Sequence, residues 1–469
     1  MVGLGFRLYG QSDPQNQWSF QECLNYAREN NLQVRQSLLQ AQISRNDQSA
    51  AQWNFLPDLN LNSSYNWNFG LNIDPVTNQI SRQTRQTANL GLSSRVTLFN
   101  GGRNWNTIAE ANAGYMAAMF EAEAARNDIT LNVASGFLQV LLNREILKVA
   151  QQQENISQTQ VKRMQKLVEV GANPTGDLLQ LEAQLAQDEQ NRVSAKNQLM
   201  VSLVNLGNLL QLENPEDFDV FAPDLPLPEP DLVARDPESI LVTAVSQQPA
   251  IKAAEKRVEQ SEEQQQLAMA NFLPTLTGVA SVGTNYSNQI LTPTGFTATQ
   301  PVPIGTVQDG SQTPVFSLPG QQPTDFELVP FSTQIDENLN EFVGLNLTVP
   351  IFNRFATRSN YQNALVRREQ QELALEQEKN NLRQTIYQAH ADAKASYNSY
   401  LAAKKAVNAN LEAFKYAQKR FEVGALNQFE FQNARDNLVI AKSQEVQSKY
   451  DYIFKIKVLE FYLYNTIQL

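Results

Sequence analysis

Asn54-Phe55-Leu56-Pro57 and Asn271-Phe272-Leu273-Pro274 repeat the same four residues 217 positions apart, each time where a long helical pattern stops and a strand pattern begins. Two further echoes share another offset. Leu98-Phe99-Asn100 returns as Ile351-Phe352-Asn353, and Glu169-Val170-Gly171-Ala172 returns as Glu422-Val423-Gly424-Ala425, both 253 positions on. The chain is therefore a tandem duplication. The 36-residue difference between the offsets is an insertion in the second copy, where a tract rich in Pro, Thr and Gln lies. Each copy reads helix, strand, loop, strand, very long helix, turn, helix, and such self-similarity decides the architecture before any single motif does.

The boundaries follow from this plan. Residues 1–17 are too short and interrupted for a complete secretory signal and resemble the tail end of one, as in a truncated or processed start. The first repeat covers 18–212, a proline-rich linker 213–235, and the second repeat 236–469. Ser19 three residues before Glu22 predicts a capping box and a first helix running to about Phe55. Asp236-Pro237 predicts the equivalent start in the second copy, an N-cap followed by proline at the first helical position.

Strands are expected at about 58–69, 89–99, 275–285 and 342–352. In the first, Leu59, Leu61, Ser63, Tyr65, Trp67 and Phe69 alternate with Asn60, Asn62, Ser64, Asn66 and Asn68. Leu90, Leu92, Val96 and Leu98 form the oily side of the second; Leu276, Ala280 and Val282 that of the third; Val343, Leu345, Leu347, Val349 and Ile351 that of the fourth. About ten residues is the length that crosses a bilayer when tilted by about 45°. Soluble sheets alternate too, but a row of Asn and Ser suits a watery lumen, where a soluble sheet would show Lys, Glu and Thr. Loops are expected between the strands at about 70–88 and about 286–341, the second reading as exposed and irregular. The second holds Pro293, Pro301, Pro303, Pro314, Pro319, Pro323 and Pro330, is acidic, and has no Lys or Arg.

Long helical hairpins are expected over 101–212 and 355–469. Their first arms, Gly102 to Val170 and Ala356 to Val423, would each extend roughly 100 Å at about 1.5 Å per residue. Leu382, Ile386, Ala389, Ala393 and Tyr397, with Ile129 and Val133 in the first copy, form a packing stripe. Gly171 and Gly424 are read as left-handed caps, with Asn173-Pro174 or Asn427 starting the return helices.

Composition excludes several classes. Net charge is −11 with no basic run, against nucleic-acid binding. No stretch nears the roughly 20 apolar residues of a spanning helix. Cys23 is the sole cysteine, read as a small buried helix residue, and His390 as a helix-face residue. No nucleophile constellation, phosphate loop or metal-ligand cluster is present, so no enzyme or cofactor is expected. Trp53, Trp67 and Trp105 flank the strands, where a membrane interface or neighbouring helices would hold them. Four strands cannot close a barrel, and an open edge in lipid leaves backbone groups unpaired at several kcal/mol each. Two chains would supply eight strands and three twelve; the larger leaves room for a channel.

Leu98-Phe99-Asn100-Gly101-Gly102-Arg103, Val349-Pro350-Ile351-Phe352-Asn353 and the paired turns Val170-Gly171-Ala172 and Val423-Gly424-Ala425 resemble the TolC family of outer-membrane factors. The resemblance covers about 18–469. It implies a mainly α-helical chain with a membrane β-barrel: a homotrimer in outer-membrane lipid, with a 12-stranded barrel and a periplasmic helical tunnel. It implies a passive conduit for small molecules or proteins, served by an inner-membrane RND or ABC-type pump and by a periplasmic adaptor docking on the turns. By the same resemblance Glu430 falls on the family's first acidic gate position, Asp177 is its first-copy counterpart, and Asn433 takes the second acidic position. Phe421 and Leu426 stand where the family has a tyrosine and an arginine, so closure by packing around Phe421, with a ring of three Glu430 carboxylates, is expected. Glu430 also sits where a carboxylate complements a helix start, worth about 0.3–1 kcal/mol, and both roles can hold. The competing reading is a periplasmic or surface coiled-coil scaffold, against which the oily strand face argues.

Overall fold

The computed structural model describes residues 17–73, 80–82, 84–223, 225–307, 310 and 313–467; the start of the chain lies outside them. In chain order, α1 (Phe20–Asn30) and α2 (Leu32–Trp53) precede β1 (Asn60–Asn68), β2 (Leu71–Ile73), β3 (Ile80–Arg82) and β4 (Arg85–Phe99). Then come α3 (Arg103–Glu169), α4 (Thr175–Leu209) and, in the linker, α5 (Asp231–Ala234). The second copy opens with α6 (Pro237–Gln247), α7 (Pro249–Ala270) and β5 (Thr275–Ser287). Its insertion holds β6 (Leu291–Ala298), β7 (Pro303–Thr306), β8 (Pro314–Phe316), β9 (Gln321–Leu328) and α8 (Phe331–Glu337). β10 (Asn340–Thr348), α9 (Ala356–Glu422) and α10 (Gln428–Tyr464) complete the chain. Two compact units emerge, one of strands (Ser49–Ile108 and Gln264–Asn363) and one of helices (Met1–Gln48, Ala109–Glu263 and Ala364–Leu469).

The strand unit is built on one antiparallel sheet in the order β1-β4-β5-β10. Its register sorts the side chains. Leu61 lies opposite Leu92, Leu92 opposite Val282, and Gly278 links Val96 to Leu345 on one face. On the other face Ser64 meets Asn89, which meets Asn285, and Ser93 meets Ser281. All four strands thus share an oily face and a wet face, as the alternation predicts. Leu59, Leu61, Tyr65, Trp67, Phe69, Leu90, Leu345 and Leu347 are exposed and Leu92 half-buried; Leu59 and Phe69 lie just outside β1. β4 starts four residues earlier than expected, and β10 ends at Thr348, before Pro350, which has no N–H to continue a ladder.

Two expectations fail. The connection at 286–341 is largely ordered: β6 pairs with β9, β7 with β8, and Gln334 of α8 is buried. Gln334 accepts from Ser287 N–H at 2.9 Å and donates to Ser287 O at 3.0 Å and Val329 O at 2.7 Å. The prolines misled because these are two-stranded ribbons, in which every strand has an outer edge that needs no donor. Pro293 and Pro303 stand at register shifts. The connection at 70–88 likewise holds the β2–β3 hairpin and the start of β4.

The single first helix is also overturned. Asn31 interrupts it with extended backbone (φ −61°, ψ 130°), its N–H reaching Ala27 O at 2.9 Å and closing α1. Its side-chain oxygen accepts from Gln33 N–H at 2.9 Å and opens α2. Gln248, 217 residues on, repeats the break (φ −64°, ψ 125°), because Pro249 drives the preceding residue out of the helical region. The capping box of Ser19 and Glu22 forms as expected.

In the helical unit, Ile129, Val133, Phe137 and Leu141 of α3 pack with Phe20, Leu24 and Ala27 of α1. The second copy repeats this. Ile386, Ala389 and Ala393 of α9, with half-buried Leu382 and Tyr397, pack against Ile240, Leu241 and Ala244 of α6 and Tyr452, Ile456 and Leu459 of α10. The linker is clipped down: Tyr452 OH donates to Pro228 O at 3.1 Å, and Arg144 pairs with Asp219 and donates to Val220 O at 2.7 Å. His390 Nε2 donates to Val233 O at 3.1 Å, a helix-face role. Burial pushes the Cys23 thiol up to about 12, so it stays protonated.

Phe137 is fully buried. Phe137→Ala should lower unfolding stability by about 3–5 kcal/mol in denaturant titration of the detergent-solubilised protein. A loss under about 1 kcal/mol would mean this cluster does not hold the unit.

Candidate functional site at the hairpin turns and the sheet

The turns joining α3 to α4 and α9 to α10 are the same device built twice. Gly171 and Gly424 both take φ +74°. At the first, Ala172 N–H donates to Leu167 O at 2.8 Å and Gly171 N–H to Val168 O at 2.9 Å; at the second, Ala425 N–H donates to Arg420 O at 2.7 Å and Gly424 N–H to Phe421 O at 3.1 Å. This paired bonding satisfies carbonyls that a helix end leaves open. A side-chain carbon would meet nothing within 4 Å at either glycine, so the positive φ alone demands glycine. Each turn consequently presents an exposed Val-Gly-Ala: Val170, Gly171 and Ala172, and Val423, Gly424 and Ala425.

The return helices start differently. Asn427 accepts from Glu430 N–H at 2.8 Å, as expected of an N-cap. At the first turn Pro174 takes the cap position without a side-chain bond, and Asp177 lies in the first turn of α4. Glu430 and Asn433 are exposed, Asp177, Leu426 and Phe421 half-buried. Phe421 stacks on Phe431 (4.7 Å between ring centres, 14° between planes), and Phe414 approaches Phe431 at 5.7 Å. Of these three rings Phe431 is the buried one.

Deeper along the hairpins lies a group the sequence reading missed. Arg435 of α10, 2% exposed, donates to Ser157 Oγ of α3 at 3.0 Å and sits 3.9 Å from the Asp188 carboxylate of α4. Ser157 bonds Asp188, which also accepts from Gln184 at 3.1 Å, while Asp436 takes Arg435 Nη2 at 2.9 Å. A buried cation thus ties both arms of the first hairpin to the return arm of the second. The readable signal was its spacing: Phe431, Arg435, Leu438 and Ala441 recur at helical intervals, placing an arginine on an apolar stripe. Gln153 and Gln160 of α3 and Gln428 and Gln432 of α10 each bury an amide atom with no hydrogen-bond partner, at about 1–3 kcal/mol each.

The duplicated hairpins and the two-faced sheet have counterparts among known proteins. The model of the outer membrane efflux protein family matches residues 23–210 and 328–458, one segment in each copy. The chain belongs to that family. Its place is the outer membrane, and its relatives are channels rather than enzymes. It is 21% identical over 188 residues to outer membrane protein TolC of Vibrio cholerae serotype O1, a stretch covering 40% of this chain and 42% of that relative. In structure it resembles the CmeC outer membrane channel of Campylobacter jejuni (TM-score 0.72, 17% identity, 95% of this chain and 85% of that one). It also resembles the outer membrane protein VceC of Vibrio cholerae (TM-score 0.69, 15% identity, 95% of each chain). These likenesses share the fold.

Removing one partner of a buried ion pair leaves the other uncompensated, whereas replacing both with apolar side chains does not. Arg435→Ala should therefore cost about 3–5 kcal/mol, and Arg435→Met combined with Asp188→Leu less than the single change. A double-mutant cycle by thermal unfolding checks this; additive losses would show that the two groups do not interact.

Proposed function

We propose that three copies of this chain close their sheets into one twelve-stranded barrel and act as the outer-membrane exit duct of a tripartite exporter. The observation that carries the reading is the four-stranded sheet with one oily and one Asn/Ser/Thr face, whose outer strands β1 and β10 each pair on one side only among the described residues. In hydrocarbon such edges demand partners, and three copies give twelve strands, enough to leave a water-filled lumen. Leu59, Leu61, Tyr65, Trp67, Phe69, Leu90, Leu92, Leu345 and Leu347 then face lipid. The helical hairpins form a periplasmic tunnel, and the conduit is passive. An inner-membrane pump of the RND or ABC type supplies the energy, and a periplasmic adaptor seats on the exposed turns Val170-Gly171-Ala172 and Val423-Gly424-Ala425. Small molecules or proteins are the cargo.

At the tunnel end, closure rests on the Phe421–Phe431 packing and on a ring of three Glu430 carboxylates, with Asp177, Leu426 and Asn433 around it. Three carboxylates in a narrow neck favour cations and bind multivalent ones. Light scattering with detergent mass subtracted should give three times 52.7 kDa, in a species that precipitates when detergent is withdrawn. A monodisperse single chain needing no detergent would sink the channel. In planar bilayers, Glu430→Gln should lower cation selectivity and weaken block by divalent or trivalent cations; unchanged selectivity and block would remove the ring.

A further inference from the structure

The two strand-to-helix junctions share one frame and are furnished differently. Asn100 and Asn353, 253 residues apart, each accept from the backbone N–H four residues on, Asn104 at 3.3 Å and Thr357 at 3.5 Å. Around the first stand Gly101, Gly102 and Trp105; their counterparts in the second copy are Arg354, Phe355 and Arg358. Trp105 lies against Phe55, 5.0 Å between ring centres, and covers the first junction. The counterpart of Phe55 is Phe272, but beside it Arg358 takes the place of the indole, and a recess of about 260 Å³ is left open. Asn271, Phe272, Ile351, Phe352, Phe355 and Arg358 are among the residues that line it.

We propose that this recess holds an anionic phospholipid of the periplasmic leaflet, its phosphate on Arg358 and Arg354 and its acyl chains against Ile351 and Phe352. The site rests on the lipid-facing barrel proposed above. Its apolar part continues the oily face of β10: Ile351 is the counterpart of Leu98, which stands with Val96 and Leu345 around Gly278 on that face. Ile351, Phe352 and Phe355 are nonetheless exposed, Ile351 at 93%. Two cations follow at once, where the chain turns from strand to helix. Hydrocarbon first and cationic head next is the order in which a bilayer boundary presents acyl chain and phosphate.

The charges are free to act. Arg103 of the first junction donates to Asn271 Oδ1 at 3.3 Å, whereas Arg354 and Arg358 make no hydrogen bond or ion pair among the described residues. A guanidinium offers a planar fork of N–H donors that matches phosphate oxygens. The backbone has also been bent to this end. Gly101-Gly102 takes φ +66° and +83°, and Arg354-Phe355 keeps the left-handed pair at +57° and +60°, a conformation that strains L-residues. Such strain persists where the surroundings over-determine it, and it clusters at binding sites. Phe355 lines the recess and packs on Phe352, 5.6 Å between ring centres.

Native mass spectrometry of the full-length protein in detergent, titrated in parallel with phosphatidylglycerol and phosphatidylcholine, tests the site. Phosphatidylglycerol should be retained at about tenfold lower concentration than phosphatidylcholine, and Arg354→Gln with Arg358→Gln should remove that preference. Arg358→Trp, which restores the cover of the first copy, should expel the lipid and leave the mass of the assembly unchanged. Excess inorganic phosphate should not displace the lipid; complete displacement would make this a site for a free anion and overturn the proposal. Equal retention of the two lipids, or retention unmoved by either variant, would reduce the bound lipid to an adventitious additive only. An intact three-chain assembly that binds no lipid would mean that a neighbouring copy covers the recess, which overturns the site while the barrel stands. A single chain needing no detergent would remove the barrel itself.

Discussion

A peptide N–H or C=O in hydrocarbon has no water to turn to, and the design of the strand unit follows from that. A four-stranded sheet ends in two strands, β1 and β10, each paired on one side only among the described residues. In water an edge of this kind can be blunted with charge, a bulge or a short strand. Here the outward side chains include Leu61, Tyr65, Trp67, Leu345 and Leu347, which suit lipid, so edge pairing with further strands is the remaining solution.

Duplication gives the chain two equivalent strand pairs, joined to one another through β4 and β5. The two copies have nonetheless drifted where their surroundings differ. Asn31 and Gln248 break their helices with the same backbone geometry by different means, a capping amide in one and a following proline in the other. At the strand-to-helix junction the first copy keeps Gly101-Gly102, where Leu273 crowds the backbone, and the second tolerates Arg354-Phe355 at φ values that strain an L-residue.

The helical hairpins follow a different logic. Their bodies are held by apolar clusters around Phe137 and Ile386, but nearer the turns the first hairpin is fastened to the second by Arg435, Ser157 and Asp188, among glutamines with unpartnered amide atoms. A polar fastening of this kind is specific in geometry and modest in net strength, since desolvation offsets much of the attraction. The same chain thus combines apolar packing along the shafts with a buried polar contact that joins the hairpins nearer the turns.

What the sequence by itself determined is whatever depends on periodicity and local backbone chemistry. The repeat offsets, the four alternating strands, the seam of Leu382, Ile386, Ala389, Ala393 and Tyr397, the capping box at Ser19 and the left-handed glycines at 171 and 424 were all legible, because each is set by residues within a turn or two. The insertion at 286–341 misled, because prolines that forbid a central strand are harmless in a two-stranded ribbon, and only pairing shows which kind of strand is present. Phe431 as the partner of Phe421, and Arg435 as the bridge to Ser157 and Asp188, were decided by tertiary structure. Their partners lie on other helices, 278 positions away for Ser157, and burial of a charge is fixed by what packs around it rather than by its neighbours in the chain.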